Sequence, residues 1–432
     1  MELFGTSGIR RLVDRDLVHL AMAVGLAVGS LYNKVLIGRD TRTSGSTLLH
    51  GAMSGILAAG AHCSDAGILP TPTLAFATQD FSAGVMITAS HNPPQYNGIK
   101  LINPDGSAFS IEQQRQIEDI VHGTVLANIQ WDRMQCGEIY STANEQHITR
   151  IMQDFKDSLK LRVAVDCGCG AAYYITPELL ARMGCDVKAI SCFPSGTFPR
   201  DAEPIEANLS DLMRTVQETG ADLGIAHDGD ADRMMAVDDL GRFIPGDKLL
   251  VILAQMSGTK QIVTTVDTSM IIENMHIEVK RTRVGDPYVS EELKNGGEFG
   301  GEPSGTWIFP QISLCPDGIY AAASISAIAS RQKLSKLVDN IPSYPIIRGN
   351  VSSNGVKMTE LKQNLIAELN PVSCDIIDGI KLNFDNGWLL IRPSGTEPKI
   401  RITAEAITEP VTHRYFEDAL RIIRESTRRE KQ

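Results

Sequence analysis

The feature that most constrains the fold of this chain is an alternation of short β-rich runs with helical stretches, which recurs three times before residue 340. The strand candidates in these cycles are residues 35–38, 83–88, 161–166, 222–226 and 261–266. The helical stretches that can be placed between them include residues 46–60 and 176–183. Such alternation is typical of βαβ units around a largely parallel sheet.

The pattern changes after residue 342. Three strand candidates (346–351, 375–383 and 388–392) and two helix candidates (357–369 and 413–424) indicate a smaller α+β module. The sequence therefore predicts three α/β domains, at 1–145, 146–245 and 246–340, followed by an α+β domain at 341–432.

The net charge, the lengths of the apolar runs and the cysteine pattern indicate which partners the protein can bind and where in the cell it is expected. The 41 basic and 52 acidic residues give a net charge of −11, which disfavours nonspecific binding to nucleic acid or to anionic membranes. No apolar run is long enough for a signal peptide or a membrane span, so a cytoplasmic location is expected. The eight cysteines are scattered and are interpreted as reduced thiols, and the pair Cys167 and Cys169 lacks the partners of a zinc site.

The segment Thr-Ala-Ser-His-Asn-Pro, residues 88–93, follows one of the predicted strands directly. A strand that ends in such a turn places Ser90 at the carboxyl edge of the sheet, where open α/β folds bind ligands. Ser, Asn and Pro are also common in ordinary turns, so this segment alone leaves both interpretations open.

The segment Asp-Gly-Asp-Ala-Asp-Arg, residues 228–233, follows another predicted strand and contains three carboxylates. On an extended strand they would span about 13 Å, so the loop must curl if they are to bind one ion. Carboxylate oxygens suit a hard cation such as Mg²⁺, whose charge would offset their mutual repulsion. A calcium-binding EF-hand loop requires Gly and Glu where this chain has Arg233 and Asp239, which argues against it.

Three further loops are rich in groups that bind anions or hydroxyls. Residues 301–305 (Gly-Glu-Pro-Ser-Gly) can accept hydrogen bonds from sugar hydroxyls, although a plain turn fits the composition as well. Residues 392–401 combine two arginines with Ser, Gly and Thr donors and can surround a phosphate. Residues 4–11 form a Gly/Ser/Thr loop that ends in two arginines, and they could equally be a flexible terminus.

Taken together and in this order, the five segments resemble those of the α-D-phosphohexomutases, a family of phosphoglucomutases, phosphomannomutases and phosphoglucosamine mutases. The resemblance covers essentially the whole chain. It implies three topologically similar α/β/α domains around mixed, largely parallel sheets and a smaller C-terminal α+β domain, which together line a central cleft. It also implies Mg²⁺ as cofactor, a phosphorylated hexose as substrate, and a monomer or homodimer.

The resemblance assigns roles to individual positions. Ser90 corresponds to the phosphorylated serine and ligand of Mg²⁺, with His91 and Arg10 nearby, and Lys100 corresponds to the general base. The other residues implied to bind Mg²⁺, sugar or phosphate are Asp228, Asp230, Asp232, Arg233, Arg283, Glu302, Ser304, Arg392, Ser394, Gly395, Thr396 and Arg401. Many relatives have His where this chain has Thr306, so the role of that histidine is not transferred.

The activity implied is transfer of a phosphoryl group between two hydroxyls of a hexose, through a phosphoserine and a hexose 1,6-bisphosphate. A lysine can act as base in this reaction only if its pKa falls well below about 10.4, which burial and a nearby metal would favour. Within the family, residues 283–286 (Arg-Val-Gly-Asp) together with residues 301–305 (Gly-Glu-Pro-Ser-Gly) most resemble phosphoglucosamine mutases. This resemblance implies glucosamine phosphate as substrate, with phosphomannomutase or phosphoglucomutase activity as the alternative. A serine- and metal-dependent sugar phosphatase and a noncatalytic sugar-phosphate sensor are further alternatives.

Overall fold

A computed structural model describes residues 3–5, 7–123, 129–352, 356–393 and 399–429 of the chain. It divides into two compact units. The first comprises Met1–Thr259 and Gly285–Asp339, and the second comprises Lys260–Val284 and Asn340–Gln432. Among the described residues, no helix is both long and apolar enough to cross a membrane.

The first unit contains most of the predicted βαβ cycles. In chain order its elements are β1 (Ile9–Leu12), α1 (Arg15–Leu31), β2 (Lys34–Arg39), α2 (Gly45–Ala58), β3 (His62–Ile68), α3 (Thr71–Ala77), β4 (Ala83–Ile87), β5 (Tyr96–Ile102), α4 (Ile111–Gly123), β6 (Glu138–Ile139), α5 (Ala143–Asp154), β7 (Arg162–Asp166), α6 (Ile175–Arg182), β8 (Asp186–Ile190), α7 (Ser210–Thr219), β9 (Leu223–His227), β10 (Met234–Val237) and α8 (Gly246–Ser257).

The second unit begins within the third cycle and includes the C-terminal module. Its first strands are β11 (Gln261–Thr265) and β12 (Glu278–Thr282), which pair in parallel. The chain then returns to the first unit for α9 (Asp286–Lys294), β13 (Phe299–Glu302), β14 (Thr306–Ile308), α10 (Gly318–Ala329) and α11 (Leu334–Asn340). The remaining elements of the second unit are β15 (Ile346–Ser352), α12 (Met358–Leu369), β16 (Ser373–Asp375), β17 (Ile380–Phe384), β18 (Gly387–Pro393), β19 (Lys399–Ala406) and α13 (Glu409–Arg429).

Two mixed sheets organise the first unit. The larger has the strand order β1-β5-β4-β2-β3-β6, with β2 parallel to both β3 and β4, and β5 antiparallel to β4. The smaller has the order β10-β9-β7-β8, with β7 parallel to β8 and β9. Strands β2, β4 and β9 are followed by the loops that begin at Asp40, Thr88 and Asp228, so the chemistry-bearing segments leave these sheets at the carboxyl ends of parallel strands.

The packing of α1 against α2 fixes the core beside the larger sheet. Apolar residues on one face of each helix are buried, for example Val24 in α1 and Ile56 in α2. Glycines allow the two backbones to touch, since a Cβ atom added at Gly25 would lie 2.0 Å from the carbonyl oxygen of Ala52. A rigid helical layer is thereby held against strands β2 and β4.

The second unit carries an antiparallel sheet of order β15-β19-β18-β17-β16. Its core consists of one sheet face packed against α12 and α13, with Leu365, Leu389 and Ile422 buried. The predicted single strand at 375–383 is wrong, because a turn with Gly379 at φ 84° separates β16 from β17. The other predicted strands and helices of this module are confirmed within a few residues.

Candidate active site

Ser90 lies in the loop after β4, in a conformation that serine rarely adopts. Its φ is 50°, in the left-handed region, and its side chain is buried. The buried guanidinium of Arg42 holds this loop by donating hydrogen bonds to the carbonyl oxygens of Ser90 and Asn92, each at 2.7 Å. Arg42 is itself fixed by Asp40 at 3.0 Å. The surrounding structure therefore maintains a strained backbone at Ser90, as is common at functional sites.

The acidic loop after β9 curls, as the binding of one ion by its three carboxylates requires. Ala231, at its centre, has a φ of 58°, and each of Asp228, Asp230 and Asp232 can offer one oxygen such that all three lie within 4.8 Å of one another. Thr71 holds the loop from α3, because its hydroxyl donates to Asp230 Oδ2 at 2.5 Å and its N–H donates to the Asp230 carbonyl at 2.9 Å.

The structure brings the serine loop and the acidic loop together. The Ser90 hydroxyl donates to Asp228 Oδ2 at 2.7 Å, although 138 residues separate them. His91 Nδ1 lies 3.2 Å from the same hydroxyl. Lys100, from β5, donates to Asp230 at 2.7 Å and to Asp232 at 2.6 Å. One buried cluster thus contains a hydroxyl, three carboxylates, an imidazole and an ammonium group.

Burial and like charge act on the carboxylates of this cluster. Burial, with the charges of Asp232 and Asp230, raises the pKa of Asp228 well above its usual value. Burial also opposes ionisation of Asp230, but the charge and hydrogen bond of Lys100 outweigh it and lower the Asp230 pKa. An additional positive charge would favour the ionised form of all three side chains.

The pKa of Lys100 is not lowered as expected for a general base. Its burial lowers the pKa, but the charges of Asp230 and Asp232 outweigh that effect and hold the pKa of Lys100 above its usual range. In this arrangement Lys100 is an ammonium group that neutralises two carboxylates. The expected low pKa is absent because the attraction of these two carboxylates outweighs the effect of burial on the lysine.

His91 is neutral near pH 7. Burial and the positive charges of Arg233 and Arg10 lower the pKa of His91 to about 4. The Ser90 hydroxyl donates its single proton to Asp228, so His91 Nδ1 can hydrogen-bond to the same oxygen only in the tautomer that carries the proton on Nδ1.

The residues of the acidic loop fit a divalent cation. Asp230 Oδ1 and Asp232 Oδ1 are buried and have no hydrogen-bond partner in the structure. Buried carboxylate oxygens without partners are costly, and together with the close approach of the three side chains they form the oxygen donor set that Mg²⁺ prefers.

Glu302, in the predicted sugar-binding loop, is held at the junction of β13 and β14. Its Oε1 accepts a hydrogen bond from the Gly285 N–H at 2.7 Å. Its Oε2 accepts from the hydroxyls of Thr306 at 3.2 Å and Ser304 at 3.4 Å. Thr306 therefore orients Glu302 in this chain.

Two predicted arginines border the serine and acidic loops. Arg10, on β1, donates to Asn92 Oδ1 at 3.0 Å. The guanidinium of Arg233 pairs with Glu203 at 2.9 Å. The backbone N–H of Arg233 donates to Asp228 Oδ1 at 3.3 Å. Both guanidinium groups lie close enough to His91 to lower its pKa.

The remaining predicted residues belong to the second unit. Arg392 pairs with Asp378 at 3.0 Å, Arg283 donates to the Ile377 carbonyl at 3.0 Å, and Arg401 lies on β19 with an exposed side chain. Arg283 and Arg392 are thus both tied to the turn between β16 and β17. Ser394, Gly395 and Thr396 lie outside the described residues.

Several residues that hold the site were missed by sequence reasoning. Asp40 and Arg42 position the serine loop, Thr71 positions the acidic loop, and Glu203 pairs with Arg233. The first two could have been found, because the Asp-Thr-Arg run that begins at residue 40 starts two residues after the predicted strand at 35–38. Thr71 and Glu203 carry no comparable local signal.

Comparison with known proteins identifies the class. The chain matches all four domains of the phosphoglucomutase/phosphomannomutase family: the alpha/beta/alpha domains I, II and III at residues 1–126, 141–241 and 245–344, and the C-terminal domain at 355–426. It therefore belongs to this family and is an intramolecular phosphotransferase that acts on phosphorylated sugars.

Two curated relatives and one solved structure are similar to this chain over nearly its whole length. The chain is 47% identical over 436 residues to a probable phosphoglucosamine mutase of Methanococcoides burtonii, covering 99% of this chain and 100% of the relative. It is 39% identical over 445 residues to the phosphoglucosamine mutase of Methanocaldococcus jannaschii, covering 98% of each. A crystal structure of a family protein from Burkholderia thailandensis matches with a TM-score of 0.85 and 25% identity, over 98% of this chain and 97% of the other.

Proposed function

We propose that this protein interconverts glucosamine 6-phosphate and glucosamine 1-phosphate, with Ser90 as the residue that carries the transferred phosphoryl group. The observation that carries the proposal is the position of the Ser90 hydroxyl, buried and 2.7 Å from Asp228 in the three-aspartate cluster. The similarity to phosphoglucosamine mutases over nearly the whole chain supports the choice of sugar.

Asp228, Asp230 and Asp232 would hold the Mg²⁺ ion, together with a phosphoryl oxygen on Ser90. Bound there, Mg²⁺ supplies charge neutralisation for the phosphoryl group during its transfer. The protein holds the serine in place, because Arg42 donates a hydrogen bond to the Ser90 carbonyl oxygen and is itself paired with Asp40.

Lys100 is proposed to exchange a proton with the sugar hydroxyl that receives the phosphoryl group. Asp230 and Asp232 hold its charge in the present arrangement. Once other positive charge balances those carboxylates, the effect of burial remains and lowers the pKa of Lys100 toward the range in which an amine can accept a proton.

The other predicted residues would bind the substrate at its two ends. Glu302 and Ser304 would offer their side-chain oxygens to sugar hydroxyls. Arg10 and Arg233 lie beside the serine loop, where their positive charges lower the pKa of His91. For the distal phosphate we propose residues 392–401, and for a further contact with the substrate we propose Arg283. This phosphate site must accept either end of the sugar, because the hexose 1,6-bisphosphate has to turn before Ser90 takes back a phosphoryl group.

The test is a comparison of purified wild type with Ser90→Ala, with Mg²⁺ and a trace of hexose bisphosphate. Glucosamine, mannose and glucose phosphates are offered in parallel, and isomer formation and free phosphate are both measured. We expect Ser90→Ala to abolish turnover, while Ser54→Ala, at an exposed serine on α2, retains it. Normal turnover by Ser90→Ala would remove the phosphoserine from the mechanism.

The same assay separates the alternatives. Steady release of inorganic phosphate would indicate a phosphatase, and binding without either product would indicate a sensor. A preference for mannose or glucose phosphate would contradict the proposed sugar while leaving the phosphoserine mechanism in place.

A further inference from the structure

Two cysteines that are 25 residues apart in sequence lie side by side in the first unit. Cys167 follows β7 by one residue and Cys192 follows β8 by two, and these strands are parallel neighbours with Asp166 opposite Ile190. Their sulfur atoms are 3.1 Å apart and joined by a hydrogen bond. We propose that Cys167 and Cys192 are a redox-active dithiol that forms a reversible disulfide under hydroperoxide and thereby modulates the adjacent acidic loop.

The backbone keeps the two thiols together. The Cys167 N–H donates to the Ile190 carbonyl at 3.2 Å, and the Cys169 N–H donates to the Ser191 carbonyl at 2.7 Å. The two segments are thus joined by two backbone hydrogen bonds next to the sulfur pair. A disulfide requires a sulfur separation of about 2.05 Å, so closure needs the two sulfur atoms to approach by roughly 1 Å.

The two thiols have different reactivity. Hydrogen bonding by Cys167 lowers the pKa of Cys192, whereas burial raises the pKa of Cys167 well above its usual value. Cys192 is also the less buried of the pair. Cys192 is therefore the thiol that ionises first and meets an oxidant first, and Cys167 is placed to resolve the product.

The reaction balances with a hydroperoxide as the oxidant. The Cys192 thiolate attacks one peroxide oxygen, the O–O bond breaks, and Cys192 becomes a sulfenic acid as hydroxide, or water after protonation, leaves. The Cys167 sulfur then attacks the Cys192 sulfur, the S–O bond breaks, and a second water leaves. In total, two thiols and one molecule of hydrogen peroxide give one disulfide and two waters.

The position of the pair connects it to the acidic loop on the side of Cys167. The turn that begins at Cys167 runs to Ala171, whose N–H donates to the Gly229 carbonyl at 2.9 Å, between the first two aspartates of the loop. No space separates these segments, since a Cβ atom added at Gly170 would lie 2.9 Å from the carbonyl oxygen of Asp228.

A second connection, also on the side of Cys167, passes through Arg200, which contacts the residue before that cysteine. Arg200 donates to Asp166 Oδ2 at 2.7 Å and to the carbonyl oxygen of His227, the residue before the acidic loop, at 2.8 Å. Movement of Cys167 toward Cys192 would therefore shift contacts that support the acidic loop. We expect oxidation to lower kcat/KM by roughly twofold to thirtyfold, the range of couplings transmitted through packed networks.

The covalent part of the proposal is tested on the full-length wild type by mass spectrometry. The reduced protein is treated with hydrogen peroxide, remaining thiols are alkylated, and digested peptides are analysed with and without dithiothreitol. We expect one crosslinked species joining the peptides of Cys167 and Cys192, lost on reduction and absent in Cys192→Ser. Cys136→Ser, which removes an exposed thiol, should leave it unchanged. Alkylation of both Cys167 and Cys192 after peroxide treatment would overturn the proposal.

The activity part rests on the proposed function and is measured separately. Mutase activity of the wild type should fall on peroxide treatment and return with dithiothreitol, while Cys192→Ser should keep its activity under peroxide. If the crosslink forms and activity does not change, the modulating role is wrong and the disulfide site remains. If the reduced wild type shows no mutase activity at all, the proposed function fails, and the crosslink result still decides whether the disulfide forms.

Discussion

At the scale of single residues, the site depends on conformations and charges that are costly in isolation. Ser90 and Ala231 both have a positive φ, and neither is glycine. Asp228 is fully buried among like charges, which raises its pKa. The contacts of Arg42 and Thr71 maintain this arrangement, so the cost at the site is offset by fixed hydrogen bonds around it.

Asp230→Asn tests the assignment of the acidic loop to Mg²⁺. The amide keeps the shape but removes the charge and one strong oxygen ligand, so we expect at least a tenfold increase in the Mg²⁺ concentration needed for half-maximal activity. The measurement is a metal titration of mutase activity. Asp211→Asn, at an exposed carboxylate on α7, serves as the matched control and should titrate like the wild type. An unchanged titration of Asp230→Asn would exclude this residue as a ligand.

The lowered pKa of Lys381, a buried lysine in the second unit, leads us to expect that the stability of the protein depends on pH. Burial and the charge of Arg281 lower its pKa from 10.5 to about 7. Between these values the unfolded chain binds a proton that the folded chain lacks, so stability should rise as the pH increases from about 7 toward 10.5. The measurement is the thermal midpoint of unfolding across this range. Lys381→Met should reduce the slope, whereas Lys336→Met, at an exposed lysine, should not; equal slopes in all three proteins would contradict the prediction.

At the scale of helices and strands, the sequence predicts most elements because each carries its own periodic signal. Strands β2, β4 and β9 are short apolar runs that end in polar loops, and the structure confirms them. The error at residues 375–383 has a local cause: an apolar pair at 376 and 377 continues the β pattern through the turn.

Long-range placement could not be predicted in the same way. The contact of Ser90 with Asp228 crosses 138 residues, and Thr71 meets Asp230 across 159. No pattern within a short stretch of sequence indicates which residues so far apart in the chain will be in contact. The resemblance to a family supplied the association of the serine with the aspartates, but it did not supply Thr71 or Glu203.

The crossing of α1 and α2 gives a prediction at the element scale. A Cβ atom at Gly25 would lie 2.0 Å from the Ala52 carbonyl oxygen, so Gly25→Ala must separate the helices and should destabilise the protein by about 1–3 kcal/mol. Gly51, in α2, has its nearest neighbour at 3.4 Å, and Gly51→Ala should be close to neutral because alanine also favours the helix. Denaturant unfolding of both variants checks this, and equal stabilities would contradict the close helix contact.

At the scale of the whole molecule, the chain leaves its first unit, contributes Lys260–Val284 to the second, and returns. That inserted segment is joined to the C-terminal sheet inside the second unit. Val266 and Met270 pack with Trp388 and Leu390 on the face of the sheet away from α12 and α13. The second unit is therefore built from two separate stretches of sequence, and its stability depends on contacts between them.

Glu405→Gln tests this dependence. The buried carboxylate of Glu405 accepts hydrogen bonds from the Ser269 hydroxyl, from the Met270 N–H at 2.8 Å and from the Trp388 indole N–H at 2.5 Å. An amide replaces one acceptor oxygen with a donor, so at least one of these three donors loses its partner, at a cost of about 1–3 kcal/mol.

Hydrogen exchange of the full chain, resolved by segment, measures where that loss of stability falls. We expect faster exchange in both β11–β12 and β17–β19 of Glu405→Gln, because one interaction network holds them, and little change in β2 and β4 of the first unit. Glu417→Gln, at an exposed glutamate on α13, should leave all segments unchanged. Faster exchange in the C-terminal sheet without any change in β11–β12 would show that the inserted segment is held independently of Glu405.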